Sequence, residues 1–210
     1  MTGKLKVKQT VVGPIGTNCY LVMNEETKEL FAVDPGDEGE RLISELREMG
    51  GVPKAILLTH GHTDHIMGVM ALRAGYPDLR IFAGEREKRM LSDPSVNSGF
   101  ERRPYDVRPD VWLEDGRRIV LAGTEIEVMA TPGHTEGSVC YYLPEEKLLF
   151  SGDTLFRESY GRTDLPTGSD EEMEASLHKI FASVPEDVRV CPGHMGLTTI
   201  GHEKEFNPGA

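Results

Sequence analysis

The chain has 210 residues, 38% hydrophobic and 28% charged, with 23 glycines and 13 prolines; that balance belongs to a turn-rich globular protein and excludes disordered and fibrous classes. A formal net charge of −12, with no basic stripe to neutralise phosphates, argues against a nucleic-acid or anionic-membrane partner. The length fits one domain spanning residues 1–210, with no linker dividing it.

The opening Met1–Lys8 carries lysines but no apolar stretch of the kind that makes a signal peptide, and no later run is long enough to span a bilayer, so a cytoplasmic location is expected. Leu5–Val12, Asn18–Met23 and Glu29–Val33 read as strands. In Glu40–Met49, Leu42, Ile43, Leu46 and Met49 form one face of a helix that Gly50-Gly51 stops. A short apolar strand, Lys54–Leu58, then leads into a polar cluster, and helical spacing returns at Ile66–Ala74. Leu79–Phe82 is a strand and Glu85–Leu91 a helix, while Ser92–Val111, rich in Pro, Asp and Arg, has no period and reads as a long surface loop. Strands follow at Arg118–Leu121, Glu125–Ala130, Ser138–Leu143, Lys147–Phe150 and Val188–Cys191, with a helix over Asp170–Phe181. Short connections such as that between Ser138–Leu143 and Lys147–Phe150 suit antiparallel neighbours. Mixed strands with helices between them predict two mixed sheets packed face to face with helices outside, a four-layer αββα sandwich.

Four strands end the same way. Lys54–Leu58 runs into Thr59-His-Gly-His-Thr-Asp-His65; Glu125–Ala130 into Thr131-Pro-Gly-His134; Lys147–Phe150 into Ser151-Gly-Asp153; and Val188–Cys191 into Pro192-Gly-His194. Taken singly, a His-x-His is commonly a polar loop and a Pro-Gly-His a turn. Four repeats of strand, glycine turn and ligand-type residue point instead to one edge where strand ends converge, the glycines allowing sharp turns toward a shared centre. The candidates are His60, His62, Asp64, His65, His134, Asp153 and His194. A catalytic zinc needs only three protein ligands and a water, so seven suffice for two ions sharing a carboxylate. Imidazole and carboxylate suit zinc, iron or manganese. Cys19, Cys140 and Cys191 are odd in number and form no Cys-x-x-Cys pair, which implies neither disulfides nor a zinc knuckle; they read as small apolar residues in strands. His178, inside a helix, and His202, near the chain end, read as surface or packing residues.

With these residues in place, the sequence resembles the metallo-β-lactamase superfamily, and within it the glyoxalase II-like hydrolases. Thr59–His65 followed by Gly68 is similar to the superfamily's His-x-His-x-Asp-His motif, and the later three motifs fall in the family's order. Val33-Asp-Pro-Gly36, Gly133-His-Thr-Glu-Gly-Ser138 and Gly152-Asp-Thr-Leu-Phe156 also resemble glyoxalase II-like proteins, and Thr199-Ile-Gly-His-Glu203 with Asn207-Pro208 resembles their small bacterial branch. The resemblance implies the αββα metallo-β-lactamase fold. It also implies one metal on His60, His62 and His134, a second on Asp64, His65 and His194, and Asp153 as the bridge between them. Because no Glu replaces His62, the chain departs from the di-iron flavoprotein branch, which favours hydrolysis over oxygen reduction.

The implied reaction is cleavage of an acyl thioester of the hydroxyacylglutathione type by a metal-bound hydroxide, with two zinc ions expected and Asp64 orienting the nucleophile. Full-length glyoxalase II enzymes carry a helical C-terminal domain with glutathione-binding groups, whereas 16 residues follow His194 here. Arg157, Tyr160 and Arg162 are the remaining candidates for holding a substrate carboxylate. The alternative implied by a related branch is a mononuclear iron persulfide dioxygenase using His60, His134 and Asp153.

Overall fold

Strand β2 (Thr17–Asn24) is buried along its whole length, because its alternate residues face two different cores. Cys19, Leu21 and Met23 point to one, Tyr20 and Val22 to the other. A strand covered on both faces carries a continuous apolar run instead of an alternating one, which is what made it legible in the sequence. The computed structural model describes residues 4–93, 96 and 107–210.

One sheet runs in the order β1 (Leu5–Val12), β2, β3 (Glu29–Val33), β4 (Val52–Leu57), β5 (Arg80–Gly84), β6 (Val111–Leu113). Its first three strands are antiparallel and β3 to β6 are parallel. The other sheet collects β7 (Arg118–Leu121), β8 (Thr124–Ala130), β9 (Val139–Leu143), β10 (Leu148–Gly152), β13 (Arg189–Pro192) and β14 (Thr198–Thr199). Only its β10–β13 pair is parallel. A small hairpin of β11 (Leu155–Phe156) and β12 (Ser159–Tyr160) lies between β10 and β13 in sequence.

Three apolar clusters define four layers. Phe31, Val33, Leu57, Val128, Tyr141 and Phe150 fill the space between the sheets. On the outer face of the first sheet, α1 (Gly39–Met49), α2 (Thr63–Ile66) and α3 (Val69–Gly75) bury Leu42, Leu46, Ile66 and Leu72 against Leu21, Leu30 and Ile56. On the outer face of the second, α5 (Asp170–Ser183) buries Met173, Leu177 and Ile180 against Cys140, Leu149 and Val190. Each such side chain contributes about 1.5–3 kcal/mol relative to exposure, so the helices are held by their apolar faces. This is the expected αββα sandwich of two mixed sheets. Among the described residues no helix is long and apolar enough to cross a membrane.

Several element boundaries differ from the sequence reading for local reasons. Strand β4 starts two residues early and takes in Pro53, because a register shift moves the pairing from Leu30↔Pro53 to Phe31↔Ala55; a bulge tolerates a residue without an N–H. The helix expected over Ile66–Ala74 is broken at Gly68. The N–H of Gly68 bonds to Pro35 O at 2.8 Å, and a Cβ there would lie 2.7 Å from that oxygen. Glu85–Leu91 divides into a 3₁₀ turn over Glu85–Glu87 and α4 (Lys88–Ser92). Of the loop expected over Ser92–Val111, residues 94–95 and 97–106 lie outside the described residues, and its last residue opens the three-residue strand β6. The terminal helix α6 (Ile200–Phe206) and the two-residue strands were not anticipated.

Two tyrosines tie the sheets together at one edge. Tyr141 donates across the inter-sheet core to Leu58 O at 2.7 Å, and Tyr20 donates to Pro192 O at 2.8 Å. Both acceptors lie at or just beyond the C-terminal end of a strand, where the polar motifs begin.

Candidate metal centre

Strand direction explains why four separate motifs meet. β3 and β4 are parallel, β8 and β10 both run antiparallel to β9, and β10 is parallel to β13. The C-terminal ends of the motif-bearing strands therefore share one edge within each sheet, the edge that Tyr141 and Tyr20 fasten. From β4 the chain delivers His60 and His62 on a turn, then Asp64 and His65 in the single-turn helix α2. β8 delivers His134, β10 delivers Asp153 and β13 delivers His194.

The seven residues form two groups with a shared member. Donor atoms of His60, His62 and His134 lie within 4.8 Å of one another, as do those of Asp64, His65 and His194. In the first, His62 Nδ1 is 2.8 Å from His134 Nε2. In the second, Asp64 Oδ2 lies 3.2 Å from His194 Nε2 and 3.3 Å from His65 Nε2. Asp153 stands between them: Oδ2 is 3.5 Å from both His134 Nε2 and His194 Nε2, and Oδ1 is 3.3 Å from His65 Nε2. The second group is closed down by Gly193, where a Cβ would lie 2.2 Å from Asp153 Oδ1 and 2.7 Å from His65 Cε1.

The donor set fits metal ions by three independent signs. First, His60 Nε2 and Asp153 Oδ1 are buried without a hydrogen-bond partner; Oδ1 is within ion-pair reach of His65 but makes no hydrogen bond of proper geometry. Buried polar atoms are otherwise nearly always satisfied. Second, the tautomers are set for coordination. Asp34 accepts from Thr59 N at 2.8 Å, Thr59 Oγ1 at 2.5 Å and His65 Nδ1 at 2.9 Å. Since the Thr59 hydroxyl proton goes to the carboxylate, Thr59 Oγ1 must accept from His60 Nδ1, 3.1 Å away. His134 Nδ1 donates to Arg162 O at 2.7 Å. His60 and His134 thus keep Nε2 as a lone pair facing the centre, and His65 turns its Nε2 there with Nδ1 committed to Asp34, free to coordinate once a cation displaces its second proton, the outer-shell arrangement expected of metal-binding histidines.

Third, the charges call for a cation. Burial, with the neighbouring imidazoles, holds His60 well below its ordinary pKa and His62 at about 3, so both are neutral donors. Burial alone would raise Asp153, but the charge of His65 foremost, with that of His194, outweighs it and holds the carboxyl at about 2. His65 is pulled the other way: burial lowers it, yet Asp64 and Asp153 together drive it up. A proton is held where the two carboxylates require positive charge. Cys191 is not drawn in; burial pushes its thiol up to about 12, and it stays a packed thiol like Cys19 and Cys140. His178 and His202 stand apart, the latter on Glu158 at 2.9 Å.

The groups floor a cleft of about 420 Å³. Its walls are Pro14 and Ile15 from the β1–β2 turn, Met67, Phe156, Leu165 and Met195. Of the three substrate-binding candidates, Arg162 lines this cleft, its guanidinium forked onto Asp164 at 2.6 and 2.7 Å. Arg157 and Tyr160 are not brought there. The hairpin pairs Leu155 with Tyr160 and Phe156 with Ser159, which puts Arg157 at the outward turn, and the two residues line separate surface hollows. Asp34, within Val33-Asp-Pro-Gly36, belongs to the site and is absent from the sequence-derived candidates. It obeys the same pattern as the ligands, an acid at a strand end before a glycine turn, and that was the available signal.

Comparison with known proteins agrees with this geometry. The family model described as Metallo-beta-lactamase superfamily matches residues 12–194. The chain is 35% identical over 195 residues to a protein named hydroxyacylglutathione hydrolase GloC of Haemophilus influenzae, covering 91% of each. Among solved structures, BLEG-1 B3 metallo-beta-lactamase aligns with 41% identity and a TM-score of 0.90, over 97% of this chain and 98% of that one. TTHA1623, solved in a di-iron-bound form, aligns with 37% identity and a TM-score of 0.85, over 96% and 99%. Fold and family match agree, and the chain belongs to the metallo-β-lactamase superfamily.

Proposed function

We propose that this chain hydrolyses acyl thioesters of the hydroxyacylglutathione type, using two divalent ions. Zinc, iron and manganese all suit the donors. His60, His62 and His134 hold one ion, Asp64, His65 and His194 the other, and Asp153 is common to both. The observation that carries the reading is the pair of three-donor groups on either side of one carboxylate, at the floor of an open cleft. A closed structural site would need four donors and no cleft. The thioester is suggested by the resemblance to a hydroxyacylglutathione hydrolase over nine-tenths of the chain.

Ions bound there supply Lewis acidity, polarising a carbonyl and bringing the pKa of water to about 7. The chain's own contribution is position and exclusion. Asp64 Oδ2 accepts from Thr17 Oγ1 at 2.9 Å and lies on the cleft floor, where it orients the attacking hydroxide. The hydroxide oxygen bonds to the carbonyl carbon, the carbon–sulfur bond breaks, and the departing thiolate takes its proton from solvent. The apolar walls keep bulk water from the reacting carbonyl, and Arg162 is the cation at the cleft that meets a substrate carboxylate by exchanging with Asp164. The mononuclear persulfide dioxygenase reading uses His60, His134 and Asp153 and leaves His62, Asp64, His65 and His194 without a task.

The test is reconstitution with zinc, iron and manganese separately, followed by thiol release from lactoylglutathione and other acyl thioesters. Thioester cleavage with two ions per chain is expected. A β-lactam and glutathione persulfide with oxygen uptake serve as the competing substrates. If no thioester is cleaved with any of the three metals, or if a single iron consumes oxygen, the proposal fails.

A further inference from the structure

One buried carboxylate outside the ligand set touches both turns that carry the first triad. Glu87 sits in the 3₁₀ turn after β5 and is completely buried. Its Oε1 accepts from the N–H of Gly61 at 2.7 Å, the residue between His60 and His62. Its Oε2 accepts from Thr135 Oγ1 at 3.0 Å, the residue after His134. Thr135 is itself locked to Ser138 Oγ at 2.7 Å. The fit leaves no slack: a Cβ on Gly137 would lie 2.2 Å from Glu87 N and 2.3 Å from Oε2.

His60 and His62 come from the first sheet and His134 from the second; the strand ends are joined by Tyr141 to Leu58 O and Val139 N–H to Thr59 O, and beyond Thr59 the facing turns meet at Glu87. We infer that Glu87 is a positioning residue for the first metal site, setting the His60–His62 turn against the His134 turn through one oxygen on each. Asp34 serves His65 and, through Thr59, His60; Glu87 serves the two turns that deliver His62 and His134, and touches none of Asp64, His65 and His194. Its loss therefore acts on one ion and spares the other.

The inference rests on His60, His62 and His134 forming one metal site, and the experiment separates the two claims. Zinc affinity is measured by chelator competition in His194→Ala protein, where the first site is the intact one, and in His62→Ala protein, where the second is. Adding Glu87→Ala is expected to weaken zinc by roughly 10–100-fold in the first background, the usual cost of an outer-shell loss, and to leave the second unchanged. Glu87→Gln keeps an acceptor for Gly61 N–H and a donor for Thr135 Oγ1, so it is expected to restore most of the affinity. If Glu87→Ala does not fold, Thr135→Val, which removes the Oε2 contact together with the Ser138 Oγ contact, is expected to give a smaller loss in the first background alone, while Ser138→Ala, which removes the latter and keeps the Oε2 contact, is expected to give none. Equal losses in both backgrounds, no loss in either, or a Gln variant as weak as the Ala variant would overturn the role. Wild-type protein that binds no zinc would instead overturn the metal-site reading itself.

Discussion

Replacing Asp34 by Asn changes one atom, yet the structure predicts a large effect on metal binding. The carboxylate is acceptor to three donors, with Oδ1 facing Thr59 N–H and Oδ2 facing both Thr59 Oγ1 and His65 Nδ1. An amide keeps its oxygen toward Thr59 N–H, since the reverse sets donor against donor. The NH₂ then points at Thr59 Oγ1 and His65 Nδ1, and both must become acceptors. His65 moves its proton to Nε2, and the Thr59 hydroxyl turns its proton to His60 Nδ1, which sends the His60 proton to Nε2 as well. Each metal site thereby loses one lone pair. An outer-shell loss costs about 10–100-fold in affinity, or about 1.4–2.8 kcal/mol per ion. Asp34→Ala strands the same three donors without a partner at about 1–3 kcal/mol each, so it costs fold stability as well. The assay is zinc competition against a chelator, paired with nitrogen NMR of the metal-free protein to read the tautomer of His60, the ring held neutral there. Two ions bound at wild-type affinity by Asp34→Asn, or an Nδ1-protonated His60 ring in that variant, would refute the tautomer argument.

Asp153→Ala is expected to weaken both ions, whereas His194→Ala weakens only the second; elemental analysis counts them, and two tightly held ions in Asp153→Ala would remove the shared-carboxylate assignment. Glu87 gives a stability signal in the metal-free protein. Burial raises its pKa from 4.5 to about 7, so the folded state holds the proton longer than the unfolded one, and the stabilising difference present below about 4.5 is lost as pH rises through about 7. The span is on the order of 3 kcal/mol, and urea titrations at pH 5 and pH 8 should show Glu87→Gln losing less stability over that interval than wild type. Metal removal should lower Tm, because an ion that binds only the folded chain stabilises by about 4 kcal/mol at a thousandfold excess over Kd; calorimetry with and without chelator measures it, and an unchanged Tm would contradict ligands drawn from both sheets.

The convergent donor cluster was legible because metal chemistry is dense in residue type: three histidines and an aspartate from His60 to His65 have few other uses, and three later strands end in the same pattern. The central strands were legible because residues buried on both faces leave long apolar runs, as in β2 and β10. What stayed hidden depends on contacts through space. Glu87 is 26 residues from Gly61 and 48 from Thr135, and a lone glutamate in a helical stretch looks like any solvated one. Arg157 and Arg162 looked equivalent in the sequence, and only the hairpin turn between β11 and β12 sends one outward while the next stretch brings the other to the cleft. β6 is three residues long after a polar segment, too short for any period to show; it forms because β5 offers a parallel edge at Phe82–Gly84.

The same contacts explain why this edge of the sandwich is costly without ions. Each triad takes two donors from the end of β4 and one from the second sheet, so the sheets meet there through polar groups where apolar packing would otherwise serve. His60 and His62 are held neutral, which leaves Asp64 and Asp153 facing one another's charge with the proton on His65 as their main relief. A buried carboxylate lacking full compensation costs several kcal/mol, and His60 Nε2 and Asp153 Oδ1 remain unsatisfied besides. Divalent cations bound as proposed would answer both deficits at once, satisfying the orphaned atoms and the charge while joining the β4 end to those of β8, β10 and β13. Metal affinity and the cohesion of the two sheets are therefore one free energy seen from two sides.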